Sequence, residues 1–142
     1  FALVASRYNE IVTGRLIGGA QDCLLRHGAA ETDIEVFRVP GSYEIPLVAR
    51  RAGASGKFDA VVCLGAIIRG ETPHFDFVAS EAARGVSRAA MESDVPVIFG
   101  VVTTDTVEQA VDRAGGRTGN RGAEAALAAI EMASLLENSK GA

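Results

Sequence analysis

Two cysteines in 142 residues, Cys23 and Cys63, are too few for a disulfide framework and match no metal-ligand spacing. Cys23 falls in a helical pattern and Cys63 inside an apolar run, so a reducing compartment, the cytoplasm, is the expected location. Basic residues are short as well. Fourteen Lys and Arg stand against 18 Asp and Glu, a net charge of -4, and they do not cluster. A nucleic-acid binder carries a basic face or stripe, so that class is set aside, and an anionic ligand has to be held by local donors. Long apolar runs are missing: Ala60 to Ile68, the longest, has about half of the roughly 20 residues that a membrane helix needs. There is no repeat, low-complexity tract, interdomain linker or dinucleotide fingerprint. No cofactor, metal, nucleic acid or membrane is expected.

What remains is the composition of an ordinary folded protein, 48% hydrophobic and 23% charged. Residues 1–142 are expected to form one domain that buries about two thirds of the unfolded surface. The chain opens at Phe1 inside an apolar run, without Met, so residues upstream are expected and a targeting peptide stays open.

Four short β-branched runs, Phe1 to Ala5, Ile34 to Val39, Ala60 to Leu64 and Val97 to Val102, read as buried strands. Between them the period changes to that of helices: Val12, Leu16, Ala20 and Leu24, then Ala82, Val86 and Ala89. A short helix near Val107 to Ala114 precedes a long one carrying Ala123, Ala126, Leu127, Ile130, Ala133 and Leu136. Strands alternating with helices imply right-handed crossovers. The expected fold is a three-layer α/β/α sandwich around a four-stranded, mainly parallel sheet of flavodoxin-like topology. Ligands of such sheets bind beyond the carboxyl ends of the strands, which directs attention to the strand-to-helix loops.

The loop from Gly65 to His74 is the richest. Pro73 suits a first helical position and Thr72 an N-cap, so a helix is predicted to start beside His74. Free N–H groups and the helix dipole favour phosphate at such a start, and Gly70 permits close backbone approach; an ordinary helix start fits equally well. His74 can take and give protons, although a lone loop histidine is more often structural, and Asp76 is badly spaced to orient it. His27, before Gly28, reads as a solvated helix end. In Pro40-Gly-Ser-Tyr-Glu-Ile-Pro46, Ser42 and Glu44 suit either a polyol ligand or a capping arrangement. Tyr8 and Asn9 offer an aromatic face and an amide. Phe99 reads as core, and Arg113 as a phosphate clamp, a helix-dipole partner, or a surface ion pair with Glu108 or Asp112.

Five ordered blocks together resemble the lumazine synthase family over essentially the whole chain: Ser6-Arg-Tyr-Asn9; Val39 to Pro46; Gly65-Ala-Ile-Ile-Arg-Gly-Glu-Thr-Pro-His-Phe-Asp-Phe77; Pro96 to Thr106; and Glu108 to Gly115 followed by Gly119-Asn-Arg-Gly122. The resemblance implies a transferase of riboflavin biosynthesis that condenses 5-amino-6-(D-ribitylamino)uracil with 3,4-dihydroxy-2-butanone 4-phosphate. It places Tyr8 against the pyrimidine, with Ser42, Tyr43, Glu44, Ala66, Ile67, Ile68 and Phe99 around ring and ribityl chain. Glu71, Thr72 and Arg113 fall on the phosphate, and His74 matches the proton donor. It further implies a homopentamer whose sites are shared, with Phe99 and Arg113 supplied by a neighbour. The short connection from Gly115 to Gly122 is similar to that of members forming an icosahedral shell of 60 subunits, for which riboflavin synthase is a possible partner. Tyr8 stands where Phe or Trp is common in the family, and Arg121 where Lys is frequent. A non-catalytic paralogue that holds a lumazine or flavin is the competing reading.

Overall fold

The first apolar run forms β1, Ala2–Ser6, in the computed structural model, which describes residues 1–140. The chain then alternates: α1, Glu10–Arg26; β2, Glu35–Val39; α2, Ile45–Ala54; β3, Val61–Ile68; α3, His74–Ser93; β4, Val97–Thr104; and α4, Val107–Asp112. A small antiparallel pair follows, β5, Ala114–Gly116, and β6, Gly119–Asn120, before α5, Arg121–Asn138. The hairpin has no strand-like composition; Gly115 and Gly119 turn the chain at φ of 98° and 90°.

The four long strands lie in the order β2-β1-β3-β4 and every neighbouring pair is parallel. Side chains alternate between the two faces, which splits the core in two. Leu3, Ala5, Val62 and Leu64 pack with Leu16, Ala20 and Leu24 of α1 and Ala125, Ala126 and Ala129 of α5. On the other face Val4, Val61 and Cys63 meet Ala49 of α2 and Ala82, Val86 and Ala89 of α3. This is the three-layer α/β/α sandwich of flavodoxin-like topology. Each fully buried leucine contributes roughly 1.5–3 kcal/mol. Burial also pushes the Cys63 thiol far above its usual range, leaving it protonated and inert. Among the described residues no helix is long and apolar enough to cross a membrane.

Three sequence expectations shift. The strand ending at Leu64 continues to Ile68, so Ala66, Ile67 and Ile68 belong to β3 and not to the loop beyond it. The third helix begins at His74, with Pro73 in the cap position and no side-chain cap. Thr72 therefore stands one residue too early to cap it. In α5 the buried stripe is Gly122, Ala125, Ala126 and Ala129, while Leu127 and Leu136 face outward. The helix sits that close because α1 and α5 cross at Gly122, where a Cβ would run into the Leu16 carbonyl.

Candidate functional site

Parallel strands bring all their carboxyl ends to one edge of the sheet, and the loops after β1, β2 and β3 enclose a cleft there of about 810 Å³. The loop after β1 supplies Tyr8 and Asn9. Backbone bonds from Arg7 N–H to the Val39 carbonyl (2.8 Å) and from Tyr8 N–H to the Pro40 carbonyl (3.1 Å) hold it beside the loop after β2. Asn9 occupies the left-handed region, φ 62° and ψ 48°, which asparagine tolerates better than most residues. Its Nδ2 donates to the Ala66 carbonyl at 3.1 Å, locking the loop onto β3. Tyr8 lines the cleft and is 73% exposed.

After β2 the chain makes a single turn of 3-10 helix, Ser42–Glu44, and passes directly into α2, with Pro46 in its first turn. Neither helix start carries a side-chain cap, so the capping arrangement open to Ser42 and Glu44 is not formed. The Glu44 carboxylate instead folds over Gly41, one oxygen 3.2 Å from where a Cβ would stand. Pro40, Gly41, Tyr43 and Glu44 make one wall of the cleft. Ser42 also lines it, yet its hydroxyl is buried and meets no hydrogen-bond partner.

The floor is the end of β3, Ala66, Ile67 and Ile68. Gly65, just before it, has to be glycine for space: a Cβ there would stand 2.6 Å from Ser42 Oγ and 3.1 Å from Ser6 Oγ. Ser6 Oγ is likewise buried without a partner.

Gly70, Thr72 and His74 form the far rim. His74 opens α3, and Phe77 and Val78, three and four residues on, share its side of the helix and line the cleft with Phe75. Because no side chain caps α3, the His74 and Phe75 N–H groups meet no acceptor among the described residues and stand with the positive end of the dipole at this rim, whereas the Asp76 N–H donates to the Pro73 carbonyl at 3.1 Å. An anion placed there meets donors at once. Asp76 turns away toward Arg69, 3.7 Å off, and does not orient His74.

The cleft thus gathers Tyr8, Ser42, Tyr43, Glu44, Ala66, Ile67, Ile68, Thr72 and His74 from four stretches of chain. Glu71, Phe99 and Arg113 lie outside its lining. Glu71 is exposed between Gly70 and Thr72. Phe99 is not core: it is 36% exposed on the outer strand of the sheet and pairs in register with Cys63, four residues below Ile67. The nearest lining residue of β3, Ala66, stands three strand residues or about 10 Å beyond Cys63, and Phe99 does not line the cleft of its own chain. Arg113 ends α4, where Nη1 donates to the Gln109 carbonyl at 3.0 Å, so its helix-end role is realised. Among the described residues it forms no ion pair with Glu108 or Asp112.

Sequence reasoning missed Phe75, Phe77 and Val78 as lining residues and gave Asn9 no structural task. The helical spacing from His74 was the available signal for Phe77 and Val78.

A doubly covered parallel sheet with an open, mixed polar and apolar crevice at its switch edge defines a small-molecule-binding α/β protein. The crevice combines an aromatic face, a carboxylate, an imidazole and an uncapped helix start. Residues 1–137 match the model of the 6,7-dimethyl-8-ribityllumazine synthase family. The chain belongs to that family, whose activity is that of a transferase in riboflavin biosynthesis.

Proposed function

We propose that the chain condenses 5-amino-6-(D-ribitylamino)uracil with 3,4-dihydroxy-2-butanone 4-phosphate to 6,7-dimethyl-8-ribityllumazine, releasing phosphate and water. The observation that carries this reading is the convergence of Tyr8, Glu44, Thr72 and His74 on one cleft in a chain of this family. The Tyr8 ring stacks on the pyrimidine. Ser42, Tyr43 and Glu44 take the ribityl side, where the carboxylate accepts hydroxyl hydrogens, and Ala66, Ile67 and Ile68 support the ring from below. The start of α3, with the backbone of Glu71 and Thr72, receives the phosphate.

The chemistry follows from that placement. The 5-amino group attacks the ketone and water leaves to give a Schiff base. Loss of a proton from the adjacent hydroxyl-bearing carbon expels phosphate and leaves an enol, which tautomerises to a ketone; attack of the ribityl-bearing nitrogen on that new carbonyl closes the ring with loss of a second water. His74 moves protons at the phosphate end. Two reactive partners mainly need to be held together, so proximity provides most of the acceleration and no covalent nucleophile is required.

Phe99 and Arg113 enter this scheme from a second copy. The exposure of Phe99 on the outer strand and the absence of an ion-pair partner for Arg113 among the described residues support a homopentamer with shared sites. The shortness of the connection from Gly115 to Gly122, in which it resembles shell-forming members of the family, supports further assembly into a 60-subunit shell, in which riboflavin synthase is a fitting partner. The stretch 1–142 acts as one domain, in the cytoplasm and without a cofactor. Inorganic phosphate release provides the test. Release that needs both substrates together supports the reading; none above the uncatalysed rate leaves a protein that binds lumazine or flavin without making it.

A further inference from the structure

Arg69 stands at the head of the loop between β3 and α3, outside the cleft lining, and neither composition nor motif gave it a task. Its N–H donates to the carbonyl of Thr104, the last residue of β4, at 2.9 Å, which carries the pairing one residue past the end of β3. Its guanidinium then meets three side chains from two separate parts of the chain. Nε donates to Asp105 Oδ1 at 2.8 Å, Nη1 lies 3.7 Å from Asp76 Oδ1, and Cζ sits 4.4 Å above the Phe75 ring.

A single exposed ion pair would fix little. Here one planar group is held by its edge and by its face, and a flexible ammonium cannot reproduce that. Phe75 and Asp76 directly follow His74 in the first turn of α3, whereas Asp105 follows β4. The intervening Gly70 and Thr72 line the cleft together with His74 and Phe75. The loop therefore runs between two anchors, both made by Arg69: its backbone on Thr104 and its side chain on the start of α3.

We propose that Arg69 is a positioning residue that fixes the far rim of the cleft, setting where Gly70, Thr72 and His74 stand without touching a ligand. Its kinetic consequence rests on the synthase reading; its structural consequence does not. Both are measured on the full-length wild type, Arg69→Ala and Arg69→Lys. In Arg69→Ala, amide hydrogen exchange accelerates across residues 70–76 while β1 and β3 keep their protection. The KM for the butanone phosphate rises about tenfold or more, as displacement of a positioning group predicts, and the KM for the ribitylaminouracil stays put. Arg69→Lys, which keeps charge toward Asp105 but loses the stacked plane, falls between the two. Unchanged exchange over residues 70–76 overturns the proposal, and so does faster exchange with both KM values unaltered. A wild type that forms no product removes the synthase reading, and the exchange pattern alone then decides whether Arg69 sets the rim.

Discussion

The Asn9 amide donates to the Ala66 carbonyl at 3.1 Å, joining positions 57 apart and clamping the aromatic loop onto the cleft floor. Asn9→Ala loses that bond and places a Cβ residue without local polar support in the left-handed region, at a combined cost of about 1–3 kcal/mol. Asn9→Gly keeps the backbone conformation and loses only the bond, so its urea midpoint lies between those of Asn9→Ala and the wild type. A glycine variant as stable as the wild type would show that the bond contributes nothing.

Gly65 and Ser42 compete for one space beneath the cleft. Gly65→Ala forces its Cβ against Ser42 Oγ and costs about 1–3 kcal/mol by overpacking. Adding Ser42→Ala removes the nearest atom and recovers part of that loss in a denaturation double-mutant cycle. Strictly additive losses would place the strain elsewhere.

Glu92 near the end of α3 bonds to Arg88 at 2.6 Å and to Arg50 of α2 at 2.9 Å. The Arg88 hydrogen bond, above all, holds the Glu92 carboxyl below the usual carboxylate range. A depressed acid stabilises the fold fully above its unfolded value, about 4.3, and that share is lost as pH falls through the lower folded value. The difference in thermal midpoint between wild type and Glu92→Gln is therefore flat from neutrality down to about pH 5 and closes at lower pH. A gap that persists in strong acid would deny the ion pairs any part in it.

For His74→Ala, turnover falls by about tenfold to a hundredfold yet stays above the uncatalysed rate, because positioning supplies most of the acceleration and proton transfer the rest. Steady-state kinetics with both substrates checks this. An unchanged rate removes His74 from the mechanism.

The architecture was legible because period and composition agree along most of the chain: Val12, Leu16, Ala20 and Leu24 predicted the buried face of α1, and all four are buried. Where two physical signals conflict, the sequence misleads. Gly65 looks like a strand end, but β3 runs on through it because residues 65–68 pair with residues 101–104 of β4, and glycine stands there because Ser42 and Ser6 occupy the room a side chain would need. Leu127 and Leu136 look like core, but the tight crossing at Gly122 turns alanines inward in their place. The glycine-rich β5–β6 hairpin has no strand signature at all. In the site, loop chemistry pointed to Tyr8, Ser42, Glu44 and His74, which share the cleft. Arg69 was invisible because its partners Asp105 and Phe75 become neighbours only when β3 and β4 pair. Phe99 lies in neither the core nor the cleft of its own chain, because its side chain is exposed on the outer strand β4.

The most direct measurement of the central claim is the rate of fluorescent lumazine formation when the purified protein meets both substrates, set against the same mixture without protein. The account predicts catalytic acceleration that saturates in each substrate. Binding of lumazine with product forming no faster than the protein-free background would contradict it and leave the chain a lumazine-holding relative of the enzyme.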